Sequence, residues 1–471
     1  MMSVKDLFSN QLNVINVGSP SFNEDYEHQG IKYTHLEWMP PANGDVELIN
    51  ALQKSKKYNT EIKQANEEFL TRVKASEGKL IDVDLAINVV PGMTKHTILH
   101  AGPKVEYKDM AGPMKGAVMG ALIYEGLADT IEEADKLAST GRITFDSAHN
   151  HNAVGPMAGI ISATMPVHIL YNERYGNYSY CTINEGLGKV LRYGANSKEV
   201  IDRLIWIRDV FSVVLKEALK LSGGIDIKNI IIQALQMGDE CHNRNKASSA
   251  LFLREIVPYI IETKASDFLK KTCVEYIKNN EHYFLNLSMP YCKVALDSAR
   301  DIKYASVLTV MSRNGVDFGI QVASSSKWYT APANYVEGLL FPGFTKEDAA
   351  PDIGDSSITE TCGIGGFAMG GAPAIVKFVG GEVQMAFDYS EQMHEITAGT
   401  HQLFTLPTLD FMPTALGIDI LKVVESGILP IINTGMAHKQ AGVGQVGAGL
   451  VHPPFDCFKN ALLEFVDRLG E

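Results

Sequence analysis

The chain has 471 residues, with 42 Lys and Arg against 55 Asp and Glu, for a formal net charge of −13. Such an acidic balance opposes condensation onto a phosphate backbone or an anionic bilayer, which argues against nucleic acid or a membrane surface as partner. The length allows about three domains of ordinary size. The six cysteines (Cys181, Cys241, Cys273, Cys292, Cys362 and Cys457) are scattered without a CxxC pair, which points away from a zinc site or a disulfide scaffold and toward a reducing cytoplasm.

The opening segment, MMSVKDLFSNQ, lacks the apolar stretch of a secretory signal. An apolar run at 12–17 ends at Gly18, and 30–37 alternates ahead of Met39, Pro40 and Pro41, so a strand, a short helix and a second strand are expected. A third strand is expected over 80–90, before Pro91 and Gly92. This rhythm predicts a Rossmann-like α/β unit over residues 1–110 of a multidomain α/β protein.

The GPMKG loop at 112–116 sets Lys115 among glycines ahead of the apolar segment 117–123, a positive finger at a helix start or simply a solvated lysine. Thr130 with Glu133 three residues on signals a helix start, and Gly141 its end. In FDSAHNHNAVGPM (145–157), a strand would put His149 and His151 on one side, as hydrogen-bonding or acid/base groups. Residues 153–171 contain no Asp, Glu, Lys or Arg, nearly bilayer length. Pro156, Gly159, Pro166 and His168 interrupt the run, so a buried glycine-rich helix followed by a strand explains it better than a membrane span.

Residues 184–264 read as a helical domain. Val200, Leu204, Ile207, Phe211, Val214 and Ala218 recur at spacings of three and four and are followed by Gly223 and Gly224, the mark of an amphipathic helix. A second helix runs from about Lys228, and a third passes through Leu251, Ile256 and Ile260 with a kink at Pro258. Between them, MGDECHNRN at 237–245 gathers two carboxylates, a histidine, an arginine and two asparagines. Burying such a set costs several kcal/mol unless each group finds a partner. If the segment is helical, Glu240 and Arg244 share a face; the plain alternative is a polar helix cap with an ion pair. From about Phe284 onward, glycine, proline and β-branched residues alternate with short apolar runs, so 111–183 and 265–471 are read together as a mixed α/β main domain.

Within that domain, Arg313, Asn314 and Asn286 are expected at strand ends, where α/β proteins place ligand contacts. Gly363, Gly365 and Gly366, after a strand expected over 358–361, form a candidate anion cradle, with tight backbone packing as the alternative. The literal GxGxxG at 442–447 lacks a strand directly before it, and His452, Pro453 and Pro454 follow, so it is not read as a dinucleotide site. Asp239, Glu240, His242, His149 and His151 are the candidate proton-transfer groups. Asn243, Arg244, Asn245, Arg313, Asn314, Lys115 and the three glycines are the candidate binders of a small anion.

Several long motifs also carry a likeness: HNHNAVGPMAG (149–159), NEGLGKVLRYGA (184–195), QALQMGDECHNRN (233–245), MSRNGVDFGIQV (311–322), WYTAPA (328–333), PDIGDSSITETCGIGGFAM (351–369) and APAIVKF (372–378). Together they resemble the YlbE/YahG/AllG family across nearly the whole chain. The AllG-type member of that family is a subunit of oxamate carbamoyltransferase, working with an FdrA-type AllF protein and with AllH in anaerobic allantoin breakdown. The resemblance therefore implies a transferase component that interconverts oxalurate plus phosphate with oxamate plus carbamoyl phosphate. It also implies FdrA/AllF-type and AllH-type partner subunits and a homodimer or higher assembly, and it calls for no cofactor or metal. The chain fits an AllG-type or a YahG-type paralogue. The SxRTR and HPxQ elements of ordinary carbamoyltransferases are absent. Two alternatives stand beside this reading: a non-catalytic scaffold or binding subunit, and a CoA- or nucleotide-dependent ligase component.

Overall fold

The computed structural model describes residues 13–36 and 38–470 as a mixed α/β protein. The predicted strand ends at 12 and 37 and the opening MMSVKDLFSNQ lie outside the described residues. A parallel strand–helix–strand unit does occur near the start, with Asn13–Val17 against Lys32–Leu36 and the helix Asn23–His28 between them. The next strand, Gly78–Leu85, does not join it. That strand sits in a five-stranded sheet, antiparallel to Pro166–Asn172, and ends in a short helix, Ala86–Val89, where an unbroken strand to 90 was expected.

Two antiparallel sheets carry much of the second half. One runs in the order Ser325–Pro332, Asp317–Val322, Leu308–Asn314, Ile353–Gly354. The other runs Glu337–Leu340, Gln445–Val451, Ile432–Ala437. Thr130 caps Ile131–Ala138 by accepting the Glu133 N–H, as the spacing predicts. The uncharged run at 153–171 holds no helix: a two-residue strand, turns and an isolated bridge at Ile161 lead into Pro166–Asn172. No helix among the described residues is long and apolar enough to cross a membrane.

The helical periodicity of the middle segment is realised as Lys198–Trp206, a π-helical turn Ile207–Phe211, and Ser212–Ser222 closed by Gly223 at φ 67°. All six residues of the apolar stripe are buried: Ile207, Phe211, Val214 and Ala218 in the core with neighbouring helices and the five-stranded sheet, Val200 and Leu204 in a second core around the helix Gly112–Tyr124. Ile227–Gln236 and Lys246–Glu262 follow, the latter containing Pro258. Asn286 and its neighbours, expected at a strand end, begin the helix Leu285–Asp297 instead. Every residue from Leu285 to Leu296 is buried, so this helix has no solvent face. A helix apolar on most sides can only sit inside a packed core, and here it carries Asn286, Ser288 and Lys293 to the centre of the molecule. All six cysteines are buried free thiols.

Candidate functional site

Residues 237–245 form a loop between the helices Ile227–Gln236 and Lys246–Glu262, not a helix. The shared-face pairing of Glu240 with Arg244 therefore gives way to a different arrangement, in which side chains bond to the backbone of their own loop. The Glu240 carboxylate accepts the N–H of His242 (2.7 Å) and of Arg244 (2.7 Å). Asp239 accepts the N–H of Cys241 (2.9 Å) and both the N–H (2.9 Å) and hydroxyl (3.1 Å) of Ser248. Aspartate and glutamate so placed compete with helical bonding and favour a turn. Gly238 and Cys241 take positive φ, 77° and 60°. For cysteine that conformation costs about 1–2 kcal/mol, and surrounding contacts hold it: Ser288, from the central helix, donates to the Cys241 carbonyl at 2.8 Å.

The loop closes on residues 358–366. Glu360, on the short helix Ile358–Thr361, bonds His242 Nδ1 at 2.7 Å. The predicted strand at 358–361 is thus helical. Its glycines cradle an internal carboxylate instead of an external anion: Gly366 N–H donates to Glu360 Oε1 (2.8 Å), and Gly365 N–H donates to the Glu240 carbonyl (2.9 Å). Gly365 lies at φ 60° with no room for a Cβ beside the Glu360 carboxylate, and a Cβ on Gly366 would come within 2.6 Å of the Ile431 carbonyl. Gly363 completes the turn through its N–H to the Glu360 carbonyl at 3.0 Å.

Three carboxylates and an imidazole are thereby enclosed, with Asp239, Glu240, His242 and Glu360 all 3% exposed or less. Burial pushes the Glu240 carboxyl up to about 8, helped by the charge of Asp239 and opposed by its two N–H donors. Burial likewise raises Asp239. Burial thus favours the neutral form of Glu240, beside a histidine already bonded to a second carboxylate. At the margin, Arg244 Nε donates to the Gly238 carbonyl (3.1 Å), and Asn245 donates to the His242 carbonyl. Among the described residues, Asn243 Nδ2, Asn245 Oδ1 and both amide atoms of Asn433 have no partner, although buried polar atoms are normally satisfied.

His149 and Arg313 form a second buried cluster. Residues 148–151 make a 3-10 turn, not a strand, so the two imidazoles diverge. His151 faces Asp146 (3.1 Å) and the Pro91 carbonyl, whereas His149 Nε2 lies 3.2 Å from Asp355. Burial alone would push the Asp355 carboxyl up, but His149 and the donors Ser312, Gly102 (2.8 Å) and Gly155 (2.9 Å) hold it below its ordinary value. Burial also holds His149 below its ordinary value.

Arg313 pairs with Asp352 at 2.7 Å and donates to the Gly354 carbonyl (2.9 Å), Ser356 Oγ (3.3 Å) and Thr434 Oγ1 (2.9 Å). Asn314 donates to the Pro103 carbonyl (2.8 Å) and accepts the N–H groups of Val316 and Asp317. Residues 352–360 run from this cluster to the first, with Thr359 Oγ1 donating to the Ser356 carbonyl at 2.7 Å. The candidates therefore meet in two adjoining buried clusters, not in one open cleft. Lys115 belongs to neither. It lies on the helix Gly112–Tyr124, with Nζ on the Lys108 carbonyl (2.7 Å). The glycines at 442–447 turn the antiparallel hairpin of Ile432–Ala437 and Gln445–Val451.

The loop carboxylates Asp352 and Asp355 are visible in the sequence as candidate proton-transfer groups, whereas Glu360 and Thr434 escaped the sequence reading as site residues. A signal for Glu360 was present: a carboxylate lies three residues ahead of a glycine run, so the group cradled could belong to the chain itself.

The family model for AllG, described as oxamate carbamoyltransferase subunit AllG, matches residues 143–356. The chain is 48% identical over 469 residues to "Uncharacterized protein YahG" of Escherichia coli (strain K12), covering 99% of each. It is 43% identical over 415 residues to "Oxamate carbamoyltransferase subunit AllG" of the same organism, covering 87% of this chain and 99% of that one. A crystal structure of a conserved protein of unknown function from Enterococcus faecalis V583 is similar at a TM-score of 0.86 and 49% identity, covering 87% of this chain and 98% of that chain.

Proposed function

The chain belongs to the AllG family, and from that premise we propose that it is the AllG-type subunit of an oxamate carbamoyltransferase-type complex. In this reading the complex exchanges oxalurate and phosphate for oxamate and carbamoyl phosphate during allantoin nitrogen catabolism in the cytoplasm. FdrA/AllF-type and AllH-type proteins are its partner subunits.

The observation that carries the chemical side is the contact of His242 with Glu360 (2.7 Å) beside Glu240, a carboxyl that burial raises to about 8. In phosphorolysis, a phosphate oxygen attacks the ureido carbonyl carbon, the new C–O bond forms, and the C–N bond to the oxamate nitrogen breaks. That nitrogen must gain a proton as it leaves. A carboxyl held neutral by burial can give it, and in the reverse direction the carboxylate takes it back. Arg244, Asn243 and Asn245 stand at the margin of the loop, where Asn243 and Arg244 are only half-buried, and substrate entry is assigned to that side.

A second reading, a binding subunit that completes a partner's site, is favoured by one specific feature: Glu240 and Glu360 are 0% exposed. A coupled assay of carbamoyl phosphate formation from oxalurate and phosphate separates the two. The chain is assayed alone, then with FdrA-type and AllH-type partners, as wild type, Glu240→Gln and Glu360→Gln. Turnover in the mixture that falls by about 100-fold or more in both variants, with assembly intact, supports the catalytic reading; effects of this size are typical of general acid–base groups. Turnover unchanged in both variants supports the binding subunit. No turnover in any mixture overturns the carbamoyl-transfer reading.

A further inference from the structure

The segment 184–195 (NEGLGKVLRYGA) takes no part in either cluster, yet it holds a buried cation that makes no ion pair. Arg192 lies in the 3-10 turn Leu191–Tyr193 and is 7% exposed. Its Nη2 donates to the Gly186 carbonyl at 2.6 Å, while its Nε has no partner. No carboxylate among the described residues lies within ion-pairing distance of it. The acid of the same segment, Glu185, directs its oxygens to the backbone N–H groups of Leu191 (3.0 Å) and Arg192 (3.3 Å). Glu185 thus feels the charge of Arg192 without pairing with it, and a buried guanidinium with no direct ion pair is unfavourable, which an arriving anion would relieve.

There is space for such an anion. Arg192 lines a cavity of about 30 Å³ together with Pro156, Thr182, Asn184, Asn286 and Glu185, whose carboxyl oxygens are taken up by the Leu191 and Arg192 N–H groups. That is enough for one small polar group and far too little for a nucleotide or CoA. Asn184 donates to Asn286 (2.6 Å), which donates to the Thr182 carbonyl (2.7 Å), so the amide wall is fixed and the arginine supplies the free donor. Asn286 belongs to the same central helix as Ser288, which holds the Cys241 carbonyl of the acid-rich loop. His282 is pushed down to about 4 by burial and then by the charge of Arg192.

We propose that Arg192 is the recognition residue of a subsite for the planar carboxylate of a small acid, the part of an oxamate-like substrate that does not react. A carboxylate against Nε and a terminal nitrogen is the bidentate geometry a guanidinium is built to make. The choice of oxamate rests on the carbamoyl-transfer reading; the carboxylate subsite itself does not.

The test is calorimetric titration of the full chain with oxamate and with its neutral isostere oxamide, for wild type, Arg192→Lys and Arg192→Gln. The expected result is binding of oxamate but not oxamide by wild type, weakened about tenfold or more in Arg192→Gln and less in Arg192→Lys. If Arg192→Gln fails to fold, a crystal structure of wild type with oxamate decides, with the carboxylate expected about 3 Å from Arg192 Nε. Absence of oxamate binding, equal binding by a folded Arg192→Gln, or a carboxylate bound away from Arg192 overturns the proposal. Oxamate binding without turnover in the reconstituted mixture would end the carbamoyl-transfer reading and leave the subsite standing.

Discussion

Arg313 and Arg192 are both buried arginines, but their surroundings differ in kind. Arg313 has an aspartate at 2.7 Å and three further acceptors, from the Gly354 carbonyl and the Ser356 and Thr434 hydroxyls. Arg192 has one carbonyl, an unpartnered Nε and an adjoining cavity. The first has every feature of a structural tie between strands and the loop at 352–356; the second is left incomplete by the chain's own atoms. Burial of a charged residue is therefore a poor guide to function, and the count of its unmet bonds a better one.

The largest expected effect tests the satisfied side of this contrast. Arg313→Met strands Asp352 as an unpaired buried charge, and urea unfolding should show a loss of about 3–5 kcal/mol. A loss under about 1 kcal/mol would show that the tie is not structural.

A somewhat smaller effect concerns Glu240, whose carboxyl sits near 8 in the folded chain against an ordinary 4.5. A raised carboxyl contributes stability that is fully present below the unfolded value and lost as pH climbs through the folded one. Stability should thus fall between about pH 4.5 and 8 by a few kcal/mol, and Glu240→Gln should flatten that slope. Urea midpoints across this range measure it, and an unchanged slope in the variant would place the proton elsewhere.

The smallest effect is expected at Lys115, whose ammonium is tied to the Lys108 carbonyl and stands 5.9 Å over the Tyr107 ring. Lys115→Ala should change stability by less than about 0.5 kcal/mol and leave oxamate binding at the wild-type level in the same titration used for Arg192. Weakened binding there would move the anion site to the start of the helix Gly112–Tyr124.

What could be read from the chain follows the range over which each feature is determined. The helical stripe from Val200 to Ala218 was legible because its periodicity is local, and each of its residues is buried. The density of polar groups at 237–245 marked a real cluster for the same reason. Its conformation was not legible, because Asp239 and Glu240 bond their own backbone and break the helix that spacing alone would allow. His149 and His151 were paired on the assumption of a strand; a 3-10 turn sends them to Asp355 and Asp146. The partners that define the clusters, Glu360 for His242 and Asp352 for Arg313, lie 118 and 39 residues away, and no local pattern encodes such meetings. The glycine cradle was visible as a cradle, while its occupant, the chain's own Glu360 carboxylate, was not.

The most direct measurement is urea unfolding of Arg192→Met and Arg313→Met side by side, each with and without saturating oxamate. Arg192→Met should match wild-type stability within about 1 kcal/mol, since replacing a buried unpaired charge by an apolar group is often neutral, and it should gain nothing from oxamate. Wild type and Arg313→Met should both gain, by the ordinary mass-action effect of a ligand that binds only the folded state. An Arg192→Met protein that is destabilised as severely as Arg313→Met, or that oxamate still stabilises, would contradict the distinction between the two arginines.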